Sequence, residues 1–504
     1  MYRHKRRALL EFIFLIGGYI MELTAVAQLR RMVLEHLARY TWEDRLKESV
    51  YDILQEVRED TPRYRCCVYK ERAVLKNRID MALGQTCDQN IIEAAKRTMR
   101  NDIDKSLPVI DVLPAACDQC PIEAYFVTDA CRHCITHKCM NNCPKKAITI
   151  IQDRAFIDRT KCVECGRCKQ VCPYGAIIEI HRPCVRACAL GAVTIGEDRK
   201  AKIDHEMCVE CGACRAACPF GAIDERSSIV PVIMNIKTGS KVIAMVAPSI
   251  VGQFGLKVKP DQIYTALKMA GFSEVVEVAI GADIVSVEEA EEYIEKVPEK
   301  QPYMTSSCCP AFVKIVKKYV GDAADKISHT VSPMVATGRW LKEQYPDAVT
   351  VFIGPCIAKK SEAKENPEYI DYVLTFEEAM CLMEGKDIKV ENVEAVEFER
   401  DGSKVGLGFP LTAGVTAAVN ATVNAKGGSV RATHYAAGVD KCVTDLTAVT
   451  KGQIDCSYFE GMACSNGCID GPGTVGDFRL TKVALSKYAE VAPVTAAVDS
   501  KHTK

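Results

Sequence analysis

No surplus of charge of either sign marks this chain: 65 Lys and Arg stand against 66 Asp and Glu over 504 residues. That balance excludes whole-molecule attraction to nucleic acid or to an anionic membrane as the main mode of binding. Missing too is an apolar run able to span a bilayer, which takes about 20 residues. The nearest approach, residues 8–20 behind Arg3-His4-Lys5-Arg6-Arg7, imitates a signal peptide, but Glu11 interrupts it and no convincing small-residue cleavage site follows. Residues 1–20 are therefore read as a mis-assigned upstream start. Nor are the 27 cysteines spread in pairs, as in a small secreted disulfide scaffold; most crowd between Cys117 and Cys218. That crowding reads as metal ligation in a reducing, cytoplasmic compartment.

The length exceeds what one core accommodates, so two to four domains are expected. Over residues 21–110, charged residues interleave with Leu, Val and Ile at three- and four-residue spacing, which predicts a helical accessory region. Its Cys66, Cys67 and Cys87 lack ligand spacing and read as ordinary thiols. Residues 111–230 break into short Cys-rich units ending in Cys-Pro or a similar turn, an internal repeat. From 231 to 504 apolar strands alternate with amphipathic helices, predicting an α/β domain and an α+β multidomain chain overall. Strands are expected at 241–246, at 274–280 closed by Gly281, and at 349–353. A helix over 261–270 should end at Gly271. Cysteines then arrive just past strand ends, where open α/β sheets place ligands.

Cys162-x2-Cys165-x2-Cys168-x3-Cys172-Pro173 and Cys208-x2-Cys211-x2-Cys214-x3-Cys218-Pro219 both match the bacterial ferredoxin run, in which three cysteines hold one 4Fe-4S cube and the fourth reaches another. A zinc ribbon would need only paired Cys-x2-Cys units. Cys131-x2-Cys134-x4-Cys139-x3-Cys143-Pro144 is a stretched third unit. Cys184-x3-Cys188 resembles the back half of a fourth, with Ile178 and His181 where its first two cysteines would fall. By spacing, Cys172 completes the first cluster, Cys143 the second and Cys188 the third; an outer-with-outer pairing threads equally well. Cys117-x2-Cys120 is left with Cys184 and Cys218, a fourth thiolate set unless Cys117 and Cys120 are unligated. Several cubanes in one chain make an electron relay.

A relay needs a terminus, and Cys309, Cys356, Cys464 and Cys468 lie in unusual contexts. These are Thr305-Ser306-Ser307-Cys308-Cys309-Pro310, Gly354-Pro355-Cys356-Ile357-Ala358-Lys359, and Glu460-Gly461-Met462-Ala463-Cys464-Ser465-Asn466-Gly467-Cys468. In this order the three segments resemble the signature motifs of the FeFe hydrogenases, over roughly residues 242–473. The resemblance implies a two-lobed catalytic domain with an H-cluster between the lobes: a 4Fe-4S cubane bridged to a two-iron unit bearing CO, cyanide and an azadithiolate. It implies that Cys309, Cys356, Cys464 and Cys468 hold the cubane, Cys468 also bridging. Met462, Lys359 and Ala247-Pro248-Ser249 would line the two-iron pocket, and Cys308 would pass protons.

Glu289 and Glu292, one turn apart, resemble the family's relay glutamates, although the run Glu288-Glu289-Ala290-Glu291-Glu292 also reads as a solvated acidic face. Ser328 joins them by its distance from Cys309. The implied reaction is reversible proton reduction to dihydrogen, with electrons from a ferredoxin-like carrier and the metal site installed by maturation proteins. A dihydrogen sensor and an iron-sulfur assembly relative are the alternatives; the presence of Cys308 speaks against the first, and Lys359, Met462 and Cys308 together speak against the second. An extra Ser before Cys308, Phe312 at the family's Trp position and Gly354 in place of Met suit a less-studied branch of the family. Cys381, Cys442 and Cys456 have no motif and read as core thiols.

Overall fold

The computed structural model describes residues 23–56, 64–121 and 124–503, with the backbone of two short paired strands, Leu15–Ile16 and Tyr19–Ile20, ahead of them. Apart from those two strands, the segment read as a mis-assigned start lies outside the described residues.

Helices Ala25–Trp42, Val68–Ala82 and Ile91–Met99 follow from the apolar spacing and from polar caps: the Thr24 hydroxyl accepts from the Ala27 amide, and Asn90 accepts from Ile92. The region read as accessory is packed into the catalytic core. Val33, Leu34 and Leu37 share one apolar cluster with Ile229–Lys237 and Phe376–Glu384. The same junction holds a buried ion cluster. Arg215 donates to Asp224 (3.2 Å) and Glu377 (3.0 Å), Arg30 reaches both carboxylates, Arg31 reaches Glu377, and Arg78 bonds Asp224. Burial opposes charge on Asp224 and Glu377, yet the guanidinium groups hold both carboxyls well below their usual range.

The Cys-rich region contains two ferredoxin-like units, one inserted in the other. The interrupted unit opens with the strand Ile110–Val112, which pairs with Ile223–Glu225; Val193–Ile195 and Ala201–Ile203 form its hairpin. Between its halves lies a second unit, closed by Tyr125–Val127 pairing with Ile177–Glu179 and built on the hairpin Ile148–Ile151/Arg154–Ile157. The division expected at residue 110 cuts through the strand Ile110–Val112.

From residue 240 two parallel sheets follow. One runs Glu274–Glu277, Val242–Val246, Val349–Gly354, Tyr372–Thr375; the other runs Met304–Thr305, Tyr458–Met462, Thr433–Ala437. Val242–Val246 is buried throughout, as a strand covered on both faces must be. The helix Pro260–Ala270 ends at Gly271 in the left-handed region, φ 116°. The strand expected over 274–280 stops at Glu277, and Ile280 and Gly281 belong to the helix Ala279–Lys296. Gly281 is there for close approach: a Cβ would strike the Pro333 carbonyl of the neighbouring helix Pro333–Gln344.

Candidate metal centre and proton route

Both sheets deliver cysteines to one place. Cys309 caps the helix Pro310–Tyr319 just past Met304–Thr305, Cys356 follows Val349–Gly354, and Cys464 and Cys468 follow Tyr458–Met462. Gly467, at φ 77°, lets that last turn lie on the loop at Pro410, whose carbonyl accepts the Cys468 amide at 2.8 Å. The four cysteines come close together: Cys309 bears on Cys356, Cys464 and Cys468. Burial, with Cys309 adding, pushes the Cys356 thiol up to about 12, and burial with neighbouring thiols raises Cys464 and Cys468 as well. Such thiols cannot ionise unaided in a dry site; an iron core supplies the compensating charge. Among the described residues no three His, Cys, Asp or Glu side chains converge on a single metal ion.

Beside them lies a cavity of about 100 Å³, mostly apolar, lined by Ala247, Pro248, Ser249, Cys308, Phe409, Met462 and Cys468, with Lys359 as its one charged group. The Lys359 ammonium donates to Glu362 Oε2 (2.6 Å) and to the Cys308 carbonyl (3.2 Å). Burial works against its charge, but the Glu362 carboxylate more than offsets this and holds Lys359 above its ordinary pKa. The Ser249 hydroxyl is fully buried and lacks a hydrogen-bond partner among the described residues. An apolar pocket offering one ammonium and one unpaired hydroxyl, next to four thiols, fits a two-iron unit with small anionic ligands.

Two of the departures from the family motifs have a local cause. The Phe312 ring stacks on Phe459 and fills the space above Gly461, and the Phe352 ring occupies the space a side chain at Gly354 would need.

On the far side of Cys308 the inward face of Ala279–Lys296 presents Glu289 and Glu292, while Glu288 and Glu291 face solvent. Glu289 is fully buried; it accepts from Tyr458 Oη at 3.0 Å, and its Oε2 meets no hydrogen-bond criterion with any other described residue. Burial pushes its carboxyl up to about 8, with the Glu292 charge adding and Tyr458 opposing. Its charge in turn adds to the burial that raises the Cys308 thiol. The Ser328 hydroxyl donates to Glu292 Oε2 at 2.7 Å and lies against Glu289 as well. Glu292 also accepts from the His329 amide (2.9 Å), and the His329 side chain is 76% exposed.

The accessory cysteines fall into four groups. Cys139 feels Cys134 and Cys172 and packs with Cys131; Cys168 feels Cys162 and Cys165 and shares a small cavity with Cys143. Cys188 faces Cys208, Cys211 and Cys214, and Cys184 faces Cys117, Cys120 and Cys218. The last group follows from the insertion: Cys117 and Cys120 are the front half belonging to Cys184-x3-Cys188, displaced by the inserted unit. Ile178 and His181 occupy no such place. Cys211 lies near both Cys309 and Cys464. That junction is clamped by residues the sequence reading did not single out. Lys318 donates to the Cys208 carbonyl (2.9 Å), Tyr319 to the Met207 carbonyl (2.7 Å) and Lys314 to Glu210 (2.6 Å). Their signal was a lysine-rich face on the helix opened by Cys309. Cys381 and Cys456 are buried and join no group, whereas Cys442 is buried close to Cys309 and donates to the Met462 carbonyl at 3.4 Å. Cys66 and Cys67 lie beside each other at the start of Val68–Ala82, and Cys87 packs on the same small apolar cluster as Cys117 and Cys218.

Residues 240–472 match the family model for the iron only hydrogenase large subunit, C-terminal domain, and residues 155–178 and 201–224 match the 4Fe-4S binding domain. Iron hydrogenase 1 of Clostridium pasteurianum is 28% identical over 68% of this chain and 70% of its own length. The periplasmic Fe hydrogenase large subunit of Nitratidesulfovibrio vulgaris is 30% identical over 63% of this chain and 85% of its own. A solved structure of the FeFe-hydrogenase HydA1 from Chlamydomonas reinhardtii aligns with 54% of this chain and 91% of that one, at 18% identity and a TM-score of 0.45. The chain belongs to the iron-only, or FeFe, hydrogenase family of oxidoreductases. An H-cluster is the cofactor its large domain implies, and the ferredoxin-like segments imply further 4Fe-4S clusters. Among the described residues no helix is long and apolar enough to cross a membrane.

Proposed function

We propose that this chain interconverts protons, electrons and dihydrogen reversibly, exchanging electrons with a ferredoxin or similar small carrier, its metal site installed by hydrogenase maturation proteins. When bound, the H-cluster supplies the redox chemistry that joins protons and electrons. Cys309, Cys356, Cys464 and Cys468 would hold its cubane, and Cys309, Cys356 and Cys468 also line the cavity. Lys359 and Ser249 would donate hydrogen bonds to the two-iron unit, and Ala247, Pro248 and Met462 would wall it from water. Cys308 Sγ holds the proton next to the cavity. Glu289 Oε2 refills it, and Ser328, Glu292 and the exposed His329 carry protons inward. The four accessory groups each hold a 4Fe-4S cluster, the Cys188/Cys208/Cys211/Cys214 group being the one beside the catalytic cysteines. The helices Ala25–Trp42, Val68–Ala82 and Ile91–Met99, packed into the core, brace this junction.

One observation carries the reading: of two adjacent residues, Cys308 lies near Glu289, in a buried acid chain that reaches the surface, and Cys309 lies near Cys211, in a chain of cysteine groups. Infrared spectra of the matured protein should show CO and cyanide stretches, and their absence after verified maturation removes the assignment. Cys308→Ala should keep those bands and lower turnover by about 10²–10⁴-fold, the range for a positioned proton donor. Undiminished turnover would remove Cys308 from the route.

A further inference from the structure

Charge is unevenly shared along the relay. Residues 124–182, the inserted unit, carry ten Lys and Arg against five Asp and Glu, whereas residues 183–226 carry six against seven. The bias is local. Between Cys131 and Gln152 there is no carboxylate side chain, and Arg132, Lys138, Lys145 and Lys146 stand exposed, with no ion pair among the described residues. The nearest acids along the chain are engaged: Asp129 pairs with Arg154 (2.7 Å) and Asp153 with the His133 ring (3.2 Å). Among these cations, between Cys134 and Cys139, Ile135 is 94% exposed. A bare apolar side chain bordered by unpaired cations has the composition of an interface, with an apolar centre and a charged rim. It sits on the loop bearing three cysteines of one accessory group. The elements of this unit pack chiefly on one another rather than on the catalytic domain.

We propose that residues 131–146 are the docking face for a small acidic one-electron carrier protein, which approaches the Cys131/Cys134/Cys139/Cys172 group here. The proposal rests on the electron-relay reading above. One electron passes from the reduced carrier to the cluster held by those four cysteines; the carrier is oxidised by one, the cluster is reduced by one, and no bond or proton moves. Oppositely charged faces speed the encounter and make it salt-dependent.

The test compares the holoprotein with its Lys138→Glu/Lys145→Glu/Lys146→Glu variant, using a reduced two-cluster bacterial ferredoxin of net negative charge and, separately, reduced methyl viologen. The variant should lose about tenfold or more in kcat/KM with ferredoxin, through KM, and lose the salt dependence of that rate. Its dye-driven rate and iron content should be unchanged. Equal ferredoxin rates with equal salt slopes overturn the proposal. Calorimetric binding of the same ferredoxin separates the two readings. If neither donor drives dihydrogen formation in the wild type, the catalytic reading fails, while ferredoxin binding that the triple variant abolishes still supports the docking face. Binding retained by the variant overturns it.

Discussion

Glu289→Gln isolates the proton route. Glutamine keeps the volume of the side chain, and its Oε1 still accepts from Tyr458 Oη, 3.0 Å away in the wild type, so the packing of Ala279–Lys296 against the sheet is retained. What disappears is the exchangeable proton. With the carboxyl pushed up to about 8, roughly nine in ten Glu289 side chains are protonated at pH 7 and ready to donate. A positioned donor contributes about 10²–10⁴-fold, equivalent to about 3–5 kcal/mol of barrier, and that is the loss expected. The sign of the pH dependence follows from the raised pKa. The donor form persists below about 8, so wild-type dihydrogen evolution should fall above that pH, by about tenfold per unit. Tyr458→Phe removes a hydrogen bond that favours the charged carboxylate, so the alkaline limb should move to higher pH while the acid stays in place. The assay is dihydrogen evolution from reduced methyl viologen between about pH 6 and 9, with infrared spectra of the same samples to verify the metal site. Turnover within twofold of wild type across that range, with intact bands, refutes the reasoning.

The interrupted ferredoxin unit predicts that Cys117→Ala/Cys120→Ala removes one cubane's worth of iron and leaves the other accessory signals in place. Unchanged iron content would mean that the group formed with Cys184 and Cys218 is empty of metal. Arg215→Ala should cost about 3–5 kcal/mol, because Asp224 and Glu377 stay buried with less compensation. The urea midpoint followed by far-ultraviolet circular dichroism should drop accordingly, whereas Arg479→Ala, which breaks an exposed pair, should leave it in place. Equal midpoints for the two variants would dismiss the ion cluster as a fastening of the junction.

How much was legible depended on whether the physics was local. Cluster ligands are set by spacing within a turn or two, so the two ferredoxin runs and the strand-end cysteines could be read directly from Cys162 to Cys218 and from Cys309 to Cys468. Cys117 and Cys120 fall to Cys184 and Cys218 only by elimination, because the inserted unit separates them from Cys184 and Cys188, and spacing is silent across an insertion. Glu289 and Glu292 carried the pattern of a solvated acidic face; only tertiary packing against Tyr458 and Ser328 turns them inward, and helix periodicity cannot say which neighbour covers a face. The same blindness made the N-terminal helices look accessory, although Val33, Leu34 and Leu37 lie in the core shared with Phe376–Glu384. Gly281 was read as a stop because a glycine after an apolar run usually is one. Its true constraint, the Pro333 carbonyl, lies some fifty residues away.

The placement of Cys308 beside Cys309 has an energetic consequence for the proposed reaction. Both sit in a region where burial already makes negative charge costly, as the raised carboxyl of Glu289 and the raised thiols of Cys308 and Cys356 show. An electron arriving through the Cys188/Cys208/Cys211/Cys214 group and Cys309 adds negative charge to that region. It therefore makes a deprotonated Cys308 or Glu289 still less favourable. On the proposed reading, electron delivery on one side of the dipeptide would draw protons in along Ser328, Glu292 and Glu289 on the other, with no moving part required. The lysines of Pro310–Tyr319 set the first half of that coupling: by holding the Cys208 loop through Lys314 and Lys318 they fix how close the incoming charge comes. A change that loosens this clamp should weaken electron delivery and, through the same electrostatics, proton uptake, although no lysine of that helix touches the acid chain.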